Sequence, residues 1–433
     1  MDPWVQDHLR ASLTGKKILL GITGSIAAFK ACDVIRFLRA CGAQVRVVLS
    51  EGAENFVTAT TLETLSDEPV NQSFWVQPHQ LGSPIRHGTH HIATARWADL
   101  ILVAPATAHF LAKAALGLAD DLLCTELLAF SGPLLVVPAM NPTMFQHPAV
   151  QQNVRTLEQR GVEILGPTWG ATSCGEEGLG RMLEPDRIVE EVAQTFYQKP
   201  TGKKLLISLG PTQSRLDPVR FLSNRSSGKM GASLCWAARE AGFQVTAICG
   251  PLSSKLPQST GPGSALEIIH VETAQAMSEA VLSHWSHSDA YLGAAAVLDW
   301  EFKNPSSQKL KKEDGPPRVE FQKTRDLLAE VCLRKAPHQW VLGFAAETDH
   351  PLEHGRSKLK RKNCDALFVN DVSQEGLGFD STQNAGWWME PSGRCEEISA
   401  RPKSEVARWI IREVTQALKV LCSPSPPSDN QGL

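Results

Sequence analysis

Cys174 stands in Trp169-Gly170-Ala171-Thr172-Ser173-Cys174-Gly175-Glu176-Glu177-Gly178-Leu179-Gly180, a glycine-rich loop without the apolar periodicity of a core element. A thiol in such a setting is a candidate for chemistry, whereas most of the ten cysteines sit in apolar or helical contexts as small hydrophobes. Their spacings are scattered and contain no C-x-x-C pair, which argues against zinc and disulfide frameworks. Asn141, in Pro138-Ala139-Met140-Asn141-Pro142-Thr143-Met144, offers both a donor and an acceptor to a carboxylate or amide. The alternative is a turn or helix cap before proline. Gly24-Ser25 follows Gly21 between a strand and a helix, where backbone N–H groups and the positive helix end can meet a phosphate and Ser25 adds a hydroxyl. A structural tight turn is the other reading. The dinucleotide fingerprint is incomplete, because Ala27 and Ala28 follow and the second strand ends in Ser50 rather than an acid, so a mononucleotide fits better. His87-Gly88-Thr89-His90-His91 suggests a metal by composition, but no acidic or cysteine residues adjoin it, and a solvated loop is the alternative.

A second set of candidates lies further on. Gly210-Pro211-Thr212 and the stretch from Leu216 to Gly231 gather hydroxyl, basic and glycine residues before a helix, which suits an anion. This is not a Walker A loop, since Ser223 stands five before Gly228 and Met230 follows Lys229. Lys309-Leu310-Lys311-Lys312 and Lys358-Leu359-Lys360-Arg361-Lys362 are basic runs that read either as phosphate sites or as solvated faces.

The elements that carry these residues repeat. Ile18-Leu19-Leu20 reads as a strand, Gly21 to Ser25 as a loop, Ile26 to Ala40 as a helix and Val45 to Leu49 as the next strand, a βαβ unit. Leu100–Ala104 and Leu134–Pro138 are further apolar strands, and near-continuous apolar runs imply a parallel sheet covered on both faces. Ala104-Pro105-Ala106-Thr107-Ala108 then lies just past the third strand's carboxyl end, where such sheets bind ligands. Asp186–Phe196 reads as a closing helix. After it Lys203-Lys204-Leu205-Leu206-Ile207 echoes Lys16-Lys17-Ile18-Leu19-Leu20, and strands are expected at Ala290–Val297, Trp340–Ala345 and Ala366–Val369. The fold class is therefore α/β, two tandem doubly wound (Rossmann-like) domains. The expected boundaries are an N-terminal extension at 1–15, unstructured to about Leu13, then 16–190, a linker at 191–202, 203–420, and a Pro/Ser-rich disordered tail at 421–433.

At ~100–200 residues per domain, 433 residues accommodate this arrangement. A hydrophobic share of 42% excludes a disordered or fibrous chain, and a net charge of -3 provides no general field for nucleic acid. Met1-Asp2-Pro3-Trp4 lacks signal-peptide character and no ~20-residue apolar run follows, so a cytoplasmic protein without nucleic-acid or membrane partners is expected.

Gly24-Ser25-Ile26-Ala27-Ala28-Phe29-Lys30, His91-Ile92 before Trp97-Ala98-Asp99-Leu100, Pro105-Ala106-Thr107-Ala108, Pro138-Ala139-Met140-Asn141 and Ser173-Cys174-Gly175 occur in the order seen in flavin-dependent phosphopantothenoylcysteine decarboxylases. The resemblance covers about residues 16–190. It implies an FMN site lined by Gly24, Ser25, Ile26, Ser50, Ala106, Thr107 and Ala108, with Met144 in the substrate pocket. It further implies His91 as the acid–base residue, Asn141 as the ligand of the departing carboxylate and Cys174 as the proton donor to an enethiol intermediate. FMN would give decarboxylation its electron sink.

From about 203 to 415 the chain resembles the phosphopantothenate-cysteine ligase half of the bacterial bifunctional coenzyme A enzyme. The resemblance rests on Asp217-Pro218-Val219-Arg220 through Gly231, Ala294-Ala295-Ala296-Val297-x-Asp299, Lys309-x-Lys311-Lys312, Gly343-Phe344-Ala345-Ala346-Glu347-Thr348, Lys358-x3-Lys362-Asn363 and Ala366-x3-Asn370-Asp371. It implies CTP as co-substrate, Mg²⁺, and an acyl-cytidylate attacked by L-cysteine. Asn224 would hold the pantothenoyl group of 4'-phosphopantothenate, Lys309 would stabilise the reacting phosphate, and Lys358 and Lys362 would contact the CTP phosphates. Asp299, Phe344, Asp326, Leu327 and Leu328 would contact the nucleotide, and Arg220 would serve cysteine coupling. Metal ligands are not indicated. The family pattern is departed from at Leu298, at Trp300-Glu301 and at Arg325, where proline is usual. A homo-oligomer is also implied, a dodecamer of decarboxylase trimers joined through ligase dimers. Rival readings are a single-activity decarboxylase or ligase, and a flavoprotein regulatory subunit, against which His91 together with Cys174 argues.

Overall fold

Five runs in the first part of the chain become parallel strands: β1 (Lys17–Ile22), β2 (Gln44–Leu49), β3 (Leu100–Ala106), β4 (Leu134–Pro138) and β5 (Glu163–Ile164), in the order β2-β1-β3-β4-β5. Consecutive strand residues face opposite sides of a sheet, and Ile18, Leu19 and Leu20 are all buried, as are Leu100 to Val103, so both faces are covered. The winding reverses between β1 and β3, which opens a crevice at their carboxyl ends. The structure is a computed structural model that describes residues 1–72, 90–257, 265–347, 349–371 and 381–422. His87 to Thr89, Thr348 and the tail from Ser423 lie outside the described residues. The chain divides into two units, Met1–Tyr197 and Gln198–Leu433.

Three segments differ from the sequence reading. Pro3–Leu13 is a helix rather than an unstructured extension. The Asp2 side chain accepts from Trp4 N at 2.9 Å, proline opens the first turn, and Val5, Leu9 and Leu13 form a buried stripe at a spacing of four. The expected linker is largely bonded in: the closing helix runs Pro185–Gln194, and from Gln198, whose N–H donates to Glu240 O at 2.9 Å, the chain belongs to the second unit. The glycine-rich loop is an antiparallel hairpin, β6 (Thr168–Ala171) and β7 (Glu177–Arg181), with Cys174 in its turn.

The second unit is built on eight strands: β8 (Lys204–Leu209), β11 (Gln244–Cys249), β12 (Leu266–His270), β13 (Ala290–Gly293), β16 (Trp340–Glu347), β17 (Ala366–Asp371), β18 (Gln383–Met389) and β19 (Cys395–Pro402). Their order is β12-β11-β8-β13-β16-β17-β18-β19, with the first six parallel and the winding reversing between β8 and β13. The last two strands run antiparallel and extend the sheet beyond the sequence reading. Two small hairpins stand off it, β9 (Gln213–Arg215) with β10 (Phe221–Ser223) and β14 (Trp300–Phe302) with β15 (Phe321–Lys323). Strand β13 ends at Gly293, so Ala294 to Val297 is loop rather than the expected strand. Among the described residues no helix is long and apolar enough to cross a membrane.

Candidate functional site

The crevice of the first unit is clamped by Thr23, a residue that the sequence reading passed over as loop. Its buried hydroxyl donates to Pro105 O at 2.8 Å and accepts from Thr107 N at 3.0 Å, which ties the loop after β1 to the loop after β3. Thr107 then caps the helix Ala108–Leu116. On the other side, Ser50 N donates to Ile22 O at 3.0 Å, and a Cβ on Gly24 would lie 2.8 Å from the carbonyl carbon of Gly52. Only glycine allows the loops after β1 and β2 to approach so closely. Ser25 accepts from Ala27 N at 3.3 Å, and Ile26 and Phe29 remain exposed beside it. Gly24, Ser25, Ile26, Ser50, Thr107 and Ala108 thus gather at the ends of β1, β2 and β3. Ala106 is completely buried within β3, so it presents no surface there.

Asn141 resolves the choice between cap and ligand by being both. Its Oδ1 accepts from Thr143 N at 2.8 Å and caps the helix Pro142–Gln146, while its Nδ2 donates to Glu176 Oε2 at 2.9 Å and to Cys174 Sγ at 3.5 Å. Cys174 is exposed, and hydrogen bonds with Thr172 first and Asn141 second hold its thiol below the ordinary range. The glycines of the hairpin explain how the thiol is held. Gly178 and Gly180 are two apart on one face of β7, and Gly180 O accepts from Met140 N at 3.0 Å. A Cβ at Gly180 would stand 2.3 Å from Met140 O, and one at Gly178 would stand 2.8 Å from Pro142 Cβ. The strand therefore lies directly against the chain that carries Asn141. Met144, half exposed, is in the same short helix.

His91 belongs to another element, the first turn of the helix His90–Trp97, where neighbouring His90 meets Asn71 Oδ1 through Nε2 at 3.0 Å. The hydrogen bonds described here join Asn141, Cys174, Thr172 and Glu176. Glu176 and Thr172 were named in the sequence reading only as part of the Cys174 motif and were not singled out as site residues.

In the second unit, two adjoining cavities open beyond β8, β13 and β16. The first is lined by Asn224 to Gly231, Asn370 and Lys403, the second by Trp300, Arg325, Asp326 and Lys362, and both by Asp299, Phe344 and Lys358. Asn224 Nδ2 donates to Ala296 O at 3.3 Å and Val297 O at 3.2 Å, which binds the loop after β10 to that after β13. Lys358 Nζ donates to Phe344 O at 3.3 Å; burial lowers its pKa, against the pull of the Glu347 and Asp299 carboxylates. Asp326 caps the helix Leu327–Leu333, accepting from Ala329 N at 3.2 Å, and is ion-paired with Lys362. Leu327 and Leu328 border the second cavity, but the Leu327 side chain goes into the core.

Lys309 and Arg220 are placed elsewhere, in a third hollow with Leu310, Lys311 and Lys312. The reason is Asp217, a buried carboxylate that accepts from Val219 N and Arg220 N, both at 2.8 Å, and from Leu310 N at 3.2 Å. Arg220 adds a bond from Nε at 3.0 Å, holds the Asp217 carboxyl well below the usual range, and donates to Leu310 O at 2.8 Å. The structure does not bring Lys309 together with Asn224, Asp299 and Lys358.

Comparisons with known proteins agree with this two-unit organisation. Residues 7–197 match the family described as Flavoprotein, and residues 200–418 match that described as DNA/pantothenate metabolism flavoprotein C-terminal domain. The chain is 40% identical over 406 residues to the coenzyme A biosynthesis bifunctional protein CoaBC of Vibrio vulnificus (strain YJ016), covering 93% of this chain and 98% of that one. It is 38% identical over 412 residues to the protein of the same name from Bacillus subtilis (strain 168), covering 94% and 98%. Among solved structures, the C-terminal domain of a coenzyme A biosynthesis bifunctional protein CoaBC matches at 31% identity and a TM-score of 0.43, over 51% of this chain and 98% of that one. The chain belongs to the family of bifunctional coenzyme A biosynthesis proteins, a flavoprotein domain followed by a pantothenate-metabolism domain.

Proposed function

We propose that the chain converts 4'-phosphopantothenate to 4'-phosphopantetheine in two reactions, a CTP-dependent ligation to L-cysteine in the second unit and an FMN-dependent decarboxylation in the first. The observation that carries the decarboxylase assignment is the Asn141 amide donating to the exposed Cys174 thiol, a carboxylate-binding group and a proton donor held on one pair of elements. The Gly24–Gly52 approach and the Thr23 clamp fit a flat mononucleotide at the mouth of β1 and β3. Gly24, Ser25, Ile26, Ser50, Thr107 and Ala108 would hold FMN there, with Ala106 contributing only the strand beneath. Bound FMN supplies a reversible two-electron sink.

The chain's own residues do the rest. His91 moves a proton at the cysteinyl thiol, and Asn141 Nδ2 orients the carboxylate that leaves as CO₂. Cys174 Sγ–H then gives its proton to the substrate carbon, and its lowered pKa makes it a better acid for that purpose. Met144 borders the substrate. In the second unit the substrate carboxylate attacks the α-phosphate of CTP and pyrophosphate departs; the cysteine amine then attacks the acyl carbon and CMP departs. Asn224 holds the pantothenoyl group. Lys358 and Lys362 meet phosphate charge, while Asp299, Phe344 and the Asp326-Leu327-Leu328 turn contact the nucleotide. Lys309 serves the reacting phosphate after its segment is brought in from the third hollow, and Arg220, which tethers that segment, supports the coupling half. Among the described residues the ligase cavities contain no cluster of three carboxylate, histidine or cysteine ligands, so Mg²⁺ fits as an ion carried on the triphosphate. The proposal extends to a cytoplasmic homo-oligomer, for which exposed Ile26, Phe29 and Trp169 around the flavin crevice and hairpin are the support.

The test supplies each half separately. The proposal requires CO₂ from 4'-phosphopantothenoylcysteine with a flavin-coloured protein, and CMP plus pyrophosphate from CTP, 4'-phosphopantothenate and L-cysteine. Either activity alone would favour the single-activity reading.

A further inference from the structure

Glu126 is completely buried, and among the described residues neither of its carboxylate oxygens has a partner within hydrogen-bond geometry. It lies in the helix Leu122–Ala129, which packs against the helix His90–Trp97, against Ala108–Leu116 and against β2. The group facing it is Thr94, close enough for its hydroxyl to pull the carboxyl pKa down against the larger push of burial, but short of full hydrogen-bond geometry to either oxygen. Thr94 is one helical turn from His91, so carboxyl and imidazole address the same face of one short helix. The neighbouring His90 Nδ1 is also buried without a partner. The seat of the His91 helix therefore contains buried polar atoms that water would normally satisfy.

The charged and titratable groups on the packed elements are His90, His91 and Arg96, then His109 and Lys113, then Arg46. None hydrogen-bonds Glu126. Lys113 is committed to Asp120 and Asp121 at 2.9 Å each, and Arg46 pairs with Glu68 and lies over the Trp97 ring. Among the described residues an ionised Glu126 would have no counter-ion, and burial pushes its pKa up to about 8. Near neutral pH it is a carboxylic acid.

We propose that Glu126 is a positioning residue for His91: as the neutral acid it lets the helix His90–Trp97 seat on Leu122–Ala129, and as the carboxylate it unseats that helix. The proposal rests on the reading of His91 as the acid–base residue. When the seat opens, the carboxyl returns to its ordinary pKa of 4.5, so the closed seat binds more protons than the open one between that value and about 8. Protection of the helix is then complete below the lower value, falls about tenfold per pH unit as pH rises, and levels off above the upper one.

Hydrogen exchange of the full-length protein, read at the 90–97 peptide from pH 5 to 9 and corrected for intrinsic rate, tests this. The wild type should lose protection about tenfold per pH unit up to pH 8, whereas Glu126→Gln and the apolar Glu126→Leu should be flat. In parallel, decarboxylation by the wild type should decline relative to Glu126→Gln as pH rises towards 8 and level off above it, with ligation as the internal control. Identical exchange profiles in wild type and both variants would overturn the proposal. So would a flattened exchange profile with no change in the pH dependence of decarboxylation, because the seat would then not govern His91. A wild type without any decarboxylase activity would refute the assignment of the domain instead, and the exchange arm would still decide whether Glu126 controls the seat.

Discussion

Gly180→Ala should disable decarboxylation without touching ligation. The added Cβ would sit 2.3 Å from Met140 O, where about 3.4 Å is the start of ordinary contact, so β7 and the Met140–Pro142 chain must part by about 1 Å. That separation falls across the contact that sets Cys174 against Asn141, and it strains the 3.0 Å bond from Met140 N to Gly180 O. A misplacement of about 1 Å between reacting groups can cost on the order of 100-fold in rate, which is the loss expected in CO₂ release at saturating 4'-phosphopantothenoylcysteine. Gly180 does not adopt a positive φ, so the effect is purely one of space. Flavin content should be unchanged, since the Gly24 and Thr23 contacts lie elsewhere, and pyrophosphate release by the second unit is the internal control. Turnover within about threefold of wild type would show that the β7 contact does not position Cys174, and the account of the hairpin's glycines would fall.

Cys174→Ser should retain flavin and accumulate an oxidised, decarboxylated intermediate, because a hydroxyl is a far weaker acid than a thiol; unimpaired 4'-phosphopantetheine formation would remove Cys174 from the mechanism. Thr172→Val deletes the leading cause of the lowered thiol pKa, so, with the protonated Cys174 thiol as the donor, the alkaline limb of a kcat profile should move to higher pH, and an unmoved profile would dissociate the thiol from that limb. His91→Asn should abolish CO₂ release while CMP and pyrophosphate form at the wild-type rate; joint loss would mean that the two units are not independent. Lys309→Gln should slow pyrophosphate release at saturating CTP by about 100- to 1000-fold if the lysine meets charge growing on the α-phosphate, and a severalfold, salt-sensitive change would leave it as the surface charge of the third hollow.

Strands β1, β3 and β4 were legible because a parallel strand covered on both faces needs consecutive apolar residues, as in Leu100 to Val103 and Leu134 to Val137. The tandem arrangement was legible from the repeated opening at Lys16 and Lys203. The Cys174 hairpin was not, since Gly178 and Gly180 are poor strand formers whose role is set by a backbone distant in sequence. The helix Pro3–Leu13 was hidden for a related reason: only Val5, Leu9 and Leu13 mark its buried stripe, among polar residues. Asn141 looked like a choice between cap and ligand because a sequence assigns the whole side chain, whereas the fold gives its oxygen to the helix and its nitrogen to Cys174 and Glu176. Thr23 could be recognised only once the β1 and β3 loops were adjacent. Lys309 shows the converse: a basic motif was clear, but Asp217 and Arg220, through Leu310, decide where its segment rests.

The central claim, that one chain carries both activities in sequence, is tested most directly by product stoichiometry from a single incubation. The purified protein is given 4'-phosphopantothenate, L-cysteine, CTP and Mg²⁺, and 4'-phosphopantetheine, CO₂, CMP and pyrophosphate are quantified together. The account predicts equal amounts of all four at completion. CMP and pyrophosphate without CO₂, with 4'-phosphopantothenoylcysteine as the end product, would contradict it.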